Sequence, residues 1–149
     1  MLWKTHLAIG AAAALYFLPF MNNKLMFLPV VLISSLLPDV DTGSSYLGHR
    51  GIFRPIQWLF SHRGFIHSYT FCIGLAFVFA LFYPVMAFPF FLGYSFHLAA
   101  DSFTEQGIRP FWPLDATIKG FVTTGGRTEY MTFVTFVLFD IVLFVVLFI

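Results

Sequence analysis

The sequence predicts an all-α membrane protein: a polytopic bundle of about five hydrophobic helices, forming a single domain over residues 1–149. The first reason is composition. The chain is 59% apolar and 10% charged, whereas a soluble domain is about 45–50% apolar and about 25% charged. The second reason is that the apolar residues fall into five runs, and a run of about 20 such residues, or fewer inside a bundle, suits a spanning helix.

The five helices are expected at about residues 6–20, 24–38, 68–83, 85–103 and 129–149. Four prolines lie near the expected helix ends or mark kinks, since proline cannot continue a helix normally: Pro19, Pro29, Pro84 and Pro89. Two long loops cover residues 39–67 and 104–128. The first contains an amphipathic stretch, GIFRPIQWLF, that suits an interfacial helix.

Several functional classes receive no support from the composition. A net charge of +1 does not favour a nucleic-acid partner. The single cysteine, Cys72, excludes an internal disulfide. The first 20 residues look like a signal peptide, but no small-residue cleavage site precedes a polar start, so we expect them to be retained. The sequence does not indicate an oligomeric state.

The alternating directions of the helices place the N-terminus and both long loops on one side of the membrane. Seven of the eight Lys and Arg residues fall on that side. They are Lys4, Arg50, Arg54, Arg63, Arg109, Lys119 and Arg127, and Lys24 is the exception. The positive-inside bias makes this side cytoplasmic and puts the C-terminus on the opposite side.

Seven residues of metal-ligand type fall at helix ends on this same side. They are His6, Asp39, Asp41, His62, His67, His97 and Asp101. Ionisable groups in or near hydrocarbon are costly and usually functional. The arrangement predicts one site at the cytoplasmic end of the bundle.

Each cluster also has an ordinary interpretation. His97 and Asp101 share one helix face at i, i+4 spacing, which suits two metal ligands or a simple hydrogen bond within the helix. Asp39 and Asp41 end a helix whose dipole disfavours anions, so they need a positive partner or a solvated turn. His6, His62 and His67 would be unremarkable interfacial residues if they stood alone.

Together, the seven predict a metal site. Imidazole and carboxylate suit Zn, with Mn or Fe as alternatives, and seven ligands exceed one tetrahedral site and suggest two divalent ions. Paired ions activate water and clamp the oxygens of a phosphoryl group. Arg63 and Arg109 could hold phosphate oxygens, or could simply reflect the positive-inside bias. Asp39 or Asp101 could serve as general base. His49 is a weaker ligand candidate, and Asp140 is expected to be structural.

The motif order resembles that of a family of bacterial and archaeal inner-membrane proteins regarded as metal-dependent hydrolases. The resemblance rests on His6, LLPDVD at 36–41, SHRGFIHS at 61–68, the spacing of Gly93, Ser95, His97 and Asp101, and GIRPFWPL at 107–114. The family has a LexA-regulated enterobacterial member and is similar, distantly, to zinc-dependent phospholipase C and the S1/P1 nucleases. The resemblance implies the same seven metal ligands.

The sequence therefore predicts a hydrolase that cleaves a phosphate ester of a phospholipid or lipid-linked phosphate. Two other classes remain open. A metal transporter would use the same ligands, although transport sites usually lie near the bilayer midplane. A non-catalytic adaptor would use the metal to hold its helices together, and its metal would have no open coordination position.

The predicted topology can be tested with reporter fusions. A reporter fused after Ile149 should be found on the periplasmic or outer side, because five crossings put the two ends on opposite faces. A reporter inserted in the 104–128 loop is the control and should be found in the cytoplasm. A cytoplasmic Ile149 fusion would contradict the argument that all the clusters share one face.

Overall fold

The computed structural model describes residues 1–41 and 64–149, and these contain five α-helices and no β-strand. The helices are α1 (Trp3–Phe17), α2 (Lys24–Ser34), α3 (Tyr69–Phe82), α4 (Pro84–Ser102) and α5 (Arg127–Phe148). The predicted all-α class is confirmed, with one helix for each expected segment. The amphipathic stretch at 51–60 lies outside the described residues.

Local sequence explains where several helices begin. The side chain of Asn23 accepts a hydrogen bond from the Met26 amide at 3.2 Å and caps α2. Ser68 caps α3 in the same way through the Phe71 amide. Pro84 is the first residue of α4, where its missing N–H costs no helical hydrogen bond.

Two expected helices end earlier than the apolar runs suggest. The segments predicted at 6–20 and 24–38 finish in 3-10 turns, at Leu18–Phe20 and Leu37–Asp41. Each turn contains a proline at its second residue, Pro19 or Pro38, which has no amide hydrogen for the α-helical pattern. The second turn matters for the site, because it carries Asp39 back towards the bundle.

Helices α1 and α4 form the centre of the bundle. α1 packs against α2, α4 and α5, and α4 also packs against α2 and α3. Small residues allow this close approach of helices, as they do in membrane helix bundles. A side chain at Gly10 would meet Ser35, and one at Gly93 would meet Ser34. The contacts therefore hold the end of α2 against α1 and α4.

One helix in the described ranges is long and apolar enough to cross a membrane, namely α5 with 22 residues. At about 1.5 Å per residue it spans about 33 Å, close to the hydrocarbon thickness of about 30 Å. α1 and α2 have 15 and 11 residues and are shorter than this thickness. Five complete spans therefore stay a prediction.

The contact between α2 and α4 gives a stability prediction. In Gly93→Ala the new Cβ would lie 2.2 Å from both Ser34 Oγ and the Val31 carbonyl oxygen. We expect the free energy of unfolding in detergent to fall by about 1–3 kcal/mol, because the added methyl group would push α2 and α4 apart. Gly74→Ala is the matched control: its Cβ meets no atom within 4 Å, so it should leave stability unchanged or raise it by about 1 kcal/mol. Equal unfolding temperatures for the two variants would contradict this account.

Candidate metal centre

Five of the seven predicted ligands lie together at one end of the bundle. Four separate segments supply them. The ligands are His6 as the fourth residue of α1, Asp39 in the 3-10 turn after α2, His67 just before α3, and His97 and Asp101 near the end of α4. The alternating directions of the helices bring these segments to the same end.

The carboxylate of Asp101 lies at the centre of the group. Its Oδ1 is 3.3 Å from His6 Nε2, and its Oδ2 is 3.7 Å from His67 Nε2 and 3.9 Å from His97 Nε2. The amino group of Met1 also contacts Oδ1. A positive charge is thus already next to this buried carboxylate, which is the kind of compensation that a metal ion also supplies.

His97 is oriented by the backbone of the neighbouring helix. Its Nδ1 lies 2.8 Å from the Ser35 carbonyl oxygen. Since a carbonyl only accepts, Nδ1 carries the proton and Nε2 keeps its lone pair. A ring held by a carbonyl on one nitrogen, with the other nitrogen free for the ion, is typical of metal-binding histidines. Nε2 lies 3.4 Å from His67 Nε2 and 3.9 Å from Asp39 Oδ1.

His6 supplies the observation that best fits a metal. Both of its ring nitrogens are buried; Nε2 lies 3.3 Å from Asp101 Oδ1, and Nδ1 has no hydrogen-bond partner within the described part of the chain. Its ring stacks on that of His97, with centroids 3.7 Å apart and planes 14° apart. Buried polar atoms normally have a partner, and an imidazole nitrogen beside two carboxylates could find one in a cation.

The donor atoms form two overlapping groups. His6, Asp39 and His97 are one, and His67, His97 and Asp101 are the other, each with its donor atoms within 4.8 Å of one another. Three donors of the imidazole and carboxylate type are enough for a catalytic zinc site. The donor set therefore fits the predicted metal.

Burial is uneven across the cluster. The side chains of His6, His67 and His97 are fully buried, whereas that of Asp39 is 14% exposed. Burial raises the pKa of Asp39, and the nearby His6 and His67 oppose part of that rise. Asp39 therefore has the least buried side chain of the five.

The other predicted site residues have different outcomes. Asp41 ends the 3-10 turn after Asp39, but its side chain lies outside the described residues. His49, His62 and Arg63 also lie outside them. Arg109 is about half exposed and pairs with Asp115 at 3.1 Å in the loop between α4 and α5, so its phosphate-binding role stays a prediction.

Asp140 lies away from the cluster. It lines a shallow groove between α1 and α5, and its Oδ1 is buried without a hydrogen-bond partner among the described residues. Its predicted structural role is not tested by this geometry.

A buried acid that the sequence reasoning missed is Glu129, in the first turn of α5. Its carboxylate accepts hydrogen bonds from the Leu2 amide, from Thr5 Oγ1 at 3.0 Å and from the Gly125 amide at 2.6 Å. These bonds join the start of α5 to the start of α1, one residue before His6. The available signal was an acid in the first turn after Gly125-Gly126, where the helix dipole favours anions.

The fold and the cluster define an all-helical protein with a buried His/Asp group at one end of its bundle. The chain belongs to the YdjM inner membrane protein family, whose sequence profile matches residues 1–148. The membership supports a location in the bacterial inner membrane, as the sequence predicted.

Named relatives extend this picture without assigning an activity. The chain is 38% identical over 94 residues to inner membrane protein YdjM of Escherichia coli K12, which is 57% of this chain and 48% of the relative. The values for YdjM of Shigella flexneri are the same. The chain thus spans about half the length of these two relatives. An uncharacterized Bacillus subtilis protein, YvsG, is 25% identical over 137 residues, 86% of this chain and 84% of that protein. No solved structure matches.

The geometry predicts which acids control metal content. Asp101→Asn should lose at least one bound transition-metal ion per chain, because the amide is neutral and coordinates poorly. Elemental analysis of the purified protein measures this. Glu105→Gln is the control: it changes an exposed carboxylate four residues further along the chain and should keep the metal. His97→Gln replaces one neutral side chain with another and should also lose metal, so a loss in both variants cannot result from the removed charge alone. Full metal content in both site variants would show that these residues are not ligands.

Proposed function

We propose that this protein is a membrane-bound metal-dependent hydrolase that cleaves a phosphate ester of a phospholipid or lipid-linked phosphate. The observation that carries the proposal is the pair of overlapping His/Asp groups at one bundle end, each of three residues whose donor atoms lie within 4.8 Å of one another. We further propose that this end faces the cytoplasm, with the C-terminus on the opposite side.

The metal would be held by His6, Asp39, His67, His97 and Asp101, with zinc as the first choice and Mn or Fe as alternatives. When bound, a divalent metal supplies Lewis-acid activation of water and neutralises charge on a phosphoryl group. The membrane location of the family makes lipid phosphates the substrates that meet such a site directly.

The described residues can support about one complete ion site. His97 belongs to both donor groups, but its Nδ1 is bonded to the Ser35 carbonyl, so its Nε2 alone is left to bind one ion. A second ion therefore needs further donors. Asp41 and His62 are the candidates that the sequence predicts, and the predicted second ion depends on them.

The protein's own side chains would divide the remaining work. Asp39 is the most exposed of the cluster, so its carboxylate is best placed to accept a proton from an attacking water. Asp101, which contacts three histidines and the Met1 amino group, would instead hold the imidazole rings in position. Arg63 and Arg109 would bind phosphate oxygens through their planar guanidinium groups.

A second candidate function is the metal-stapled adaptor. The observation that favours it is burial: the three imidazoles and Asp101 are at most 1% exposed. A site so enclosed resembles structural metal centres, which leave no open position. The partial exposure of Asp39 favours the hydrolase over this alternative.

Substitution of Asp39, the least buried carboxylate of the cluster, tests the hydrolase. Asp39→Asn keeps the size of the side chain but removes its charge and basicity, so we expect a loss of at least about 100-fold in phosphoester hydrolysis. The assay is phosphate or headgroup release from a panel of lipid phosphates in detergent with Zn or Mn. Glu105→Gln should keep the activity of the unaltered protein. Arg63→Lys should slow turnover and keep the metal, because Lys lacks the bidentate fork.

Phosphate release, together with vesicle uptake and thermal stability, separates the three classes of protein. An adaptor would release no phosphate, and Asp39→Asn would lower thermal stability alone. A transporter would show metal-dependent uptake into vesicles and no phosphate release. Metal-loaded protein that is inert across the lipid panel would contradict the hydrolase proposal.

A further inference from the structure

A cavity of about 430 Å³ lies beside the cluster, between α1, α4 and α5. Its volume is within the range of about 300–1,000 Å³ that is usual for ligand pockets. Apolar groups dominate its wall, including the rings of Phe96, Phe103 and Phe136. The cavity contains none of the five cluster side chains, so it is a feature separate from the candidate metal centre.

The cavity has the form of a slot that runs along the helices. On α5 it is lined by Thr128, Thr132 and Phe136, which lie on one face at intervals of four residues. The eight residue steps from Thr128 to Phe136 extend about 12 Å at about 1.5 Å per residue. The facing wall is formed by Phe96, Ala99 and Ala100 on α4 and by Phe103 directly after it.

One end of the slot reaches the His/Asp cluster. Ala100 lines the slot and is the residue next to Asp101. Met1 also lines the slot, while its amino group contacts the Asp101 carboxylate. A ligand that lies along the slot would therefore have one end beside the cluster and the other about two helical turns deeper along α5.

The chemistry of the wall selects an apolar, extended ligand. Among the described residues, no charged side chain lines the slot. The hydroxyl of Thr132 donates to the Thr128 carbonyl at 3.0 Å, which leaves its methyl group for the ligand. A peptide or a nucleotide would bury polar groups here without partners, at a cost of several kcal/mol. A hydrocarbon chain has no such groups.

We propose that this slot binds one acyl chain of a lipid and so presents the phosphate headgroup of that lipid to the His/Asp cluster. The headgroup part of this inference rests on the proposed function, because it assigns the substrate a position at the same centre. Phe103 and Phe121 line the slot with rings that are 57% and 76% exposed, so the slot is open to its surroundings beside them.

The small residue Ala99 and the medium-sized Thr132 on opposite walls keep the slot open. Thr132→Phe should fill it from α5, and Ala99→Leu should fill it from α4. Met131→Phe is the matched control, since Met131 precedes Thr132 on α5, is 55% exposed and does not line the slot.

The test uses the purified full chain in detergent and a lysophosphatidate that carries a photoreactive diazirine in its acyl chain. We expect crosslinks on α4 and α5 peptides that line the slot, mapped by mass spectrometry. Unlabelled lysophosphatidate should compete, and glycerol phosphate, which has no chain, should not. Labelling should fall about ten-fold in Thr132→Phe and in Ala99→Leu, equivalent to about 1.4 kcal/mol, and persist in Met131→Phe.

Labelling spread evenly over the exposed faces of α5, and equal in Thr132→Phe and Met131→Phe, would overturn the inference. Hydrolysis of a short-chain phosphate ester without slot labelling would also overturn it, while leaving the proposed function standing. Competed slot labelling in a protein that hydrolyses no lipid phosphate would support the chain-binding slot and contradict the hydrolase.

Discussion

The burial of the Asp101 carboxylate is the constraint on which this end of the bundle depends. A charge with a 1% exposed side chain costs several kcal/mol unless it is compensated. Its partners are Met1 and His6 at the start of the chain, His67 before α3, and His97 on its own helix. Satisfying this single charge therefore fixes three chain segments relative to one another, whether or not the compensating cation is a metal.

The helix contacts explain how those partners can come so close. Gly10 and Gly93 lie against Ser35 and Ser34, so the end of α2 sits between α1 and α4 without intervening side chains. That position brings the Ser35 carbonyl to His97 and the following turn, with Asp39, to the cluster. Glu129 then attaches α5 to the same region through Leu2 and Thr5.

Much of this arrangement could be predicted from the sequence because it follows from alternation. Once five apolar segments are recognised, the ends that carry His6, Asp39, His67 and Asp101 must meet on one side. The i, i+4 spacing of His97 and Asp101 placed both on one face of α4. These predictions use periodicity and direction, which can be read from the order of the residues along the chain.

Other features of the site depend on tertiary contacts that no local pattern encodes. The stacking of His6 on His97 and the carbonyl bond at His97 Nδ1 require the packing of α1, α2 and α4. The buried position of Glu129 has no local signal of its partners, since Leu2 and Thr5 are more than 120 residues away in the sequence. The slot beside the cluster is likewise formed by three helices together.

The position of the cluster bears on the choice between transport and catalysis. Beyond His97 the interior of the bundle is filled by apolar side chains, among them Ala14, Phe27, Val31 and Leu92. An ion that left the cluster towards the other end would have to pass this packed layer, whereas alternating access needs a site near the midplane. A lipid does not meet this barrier, because it can approach sideways from the bilayer while its headgroup stays at the membrane surface. A buried polar centre at the end of an apolar slot is therefore more consistent with chemistry on a lipid than with passage of an ion.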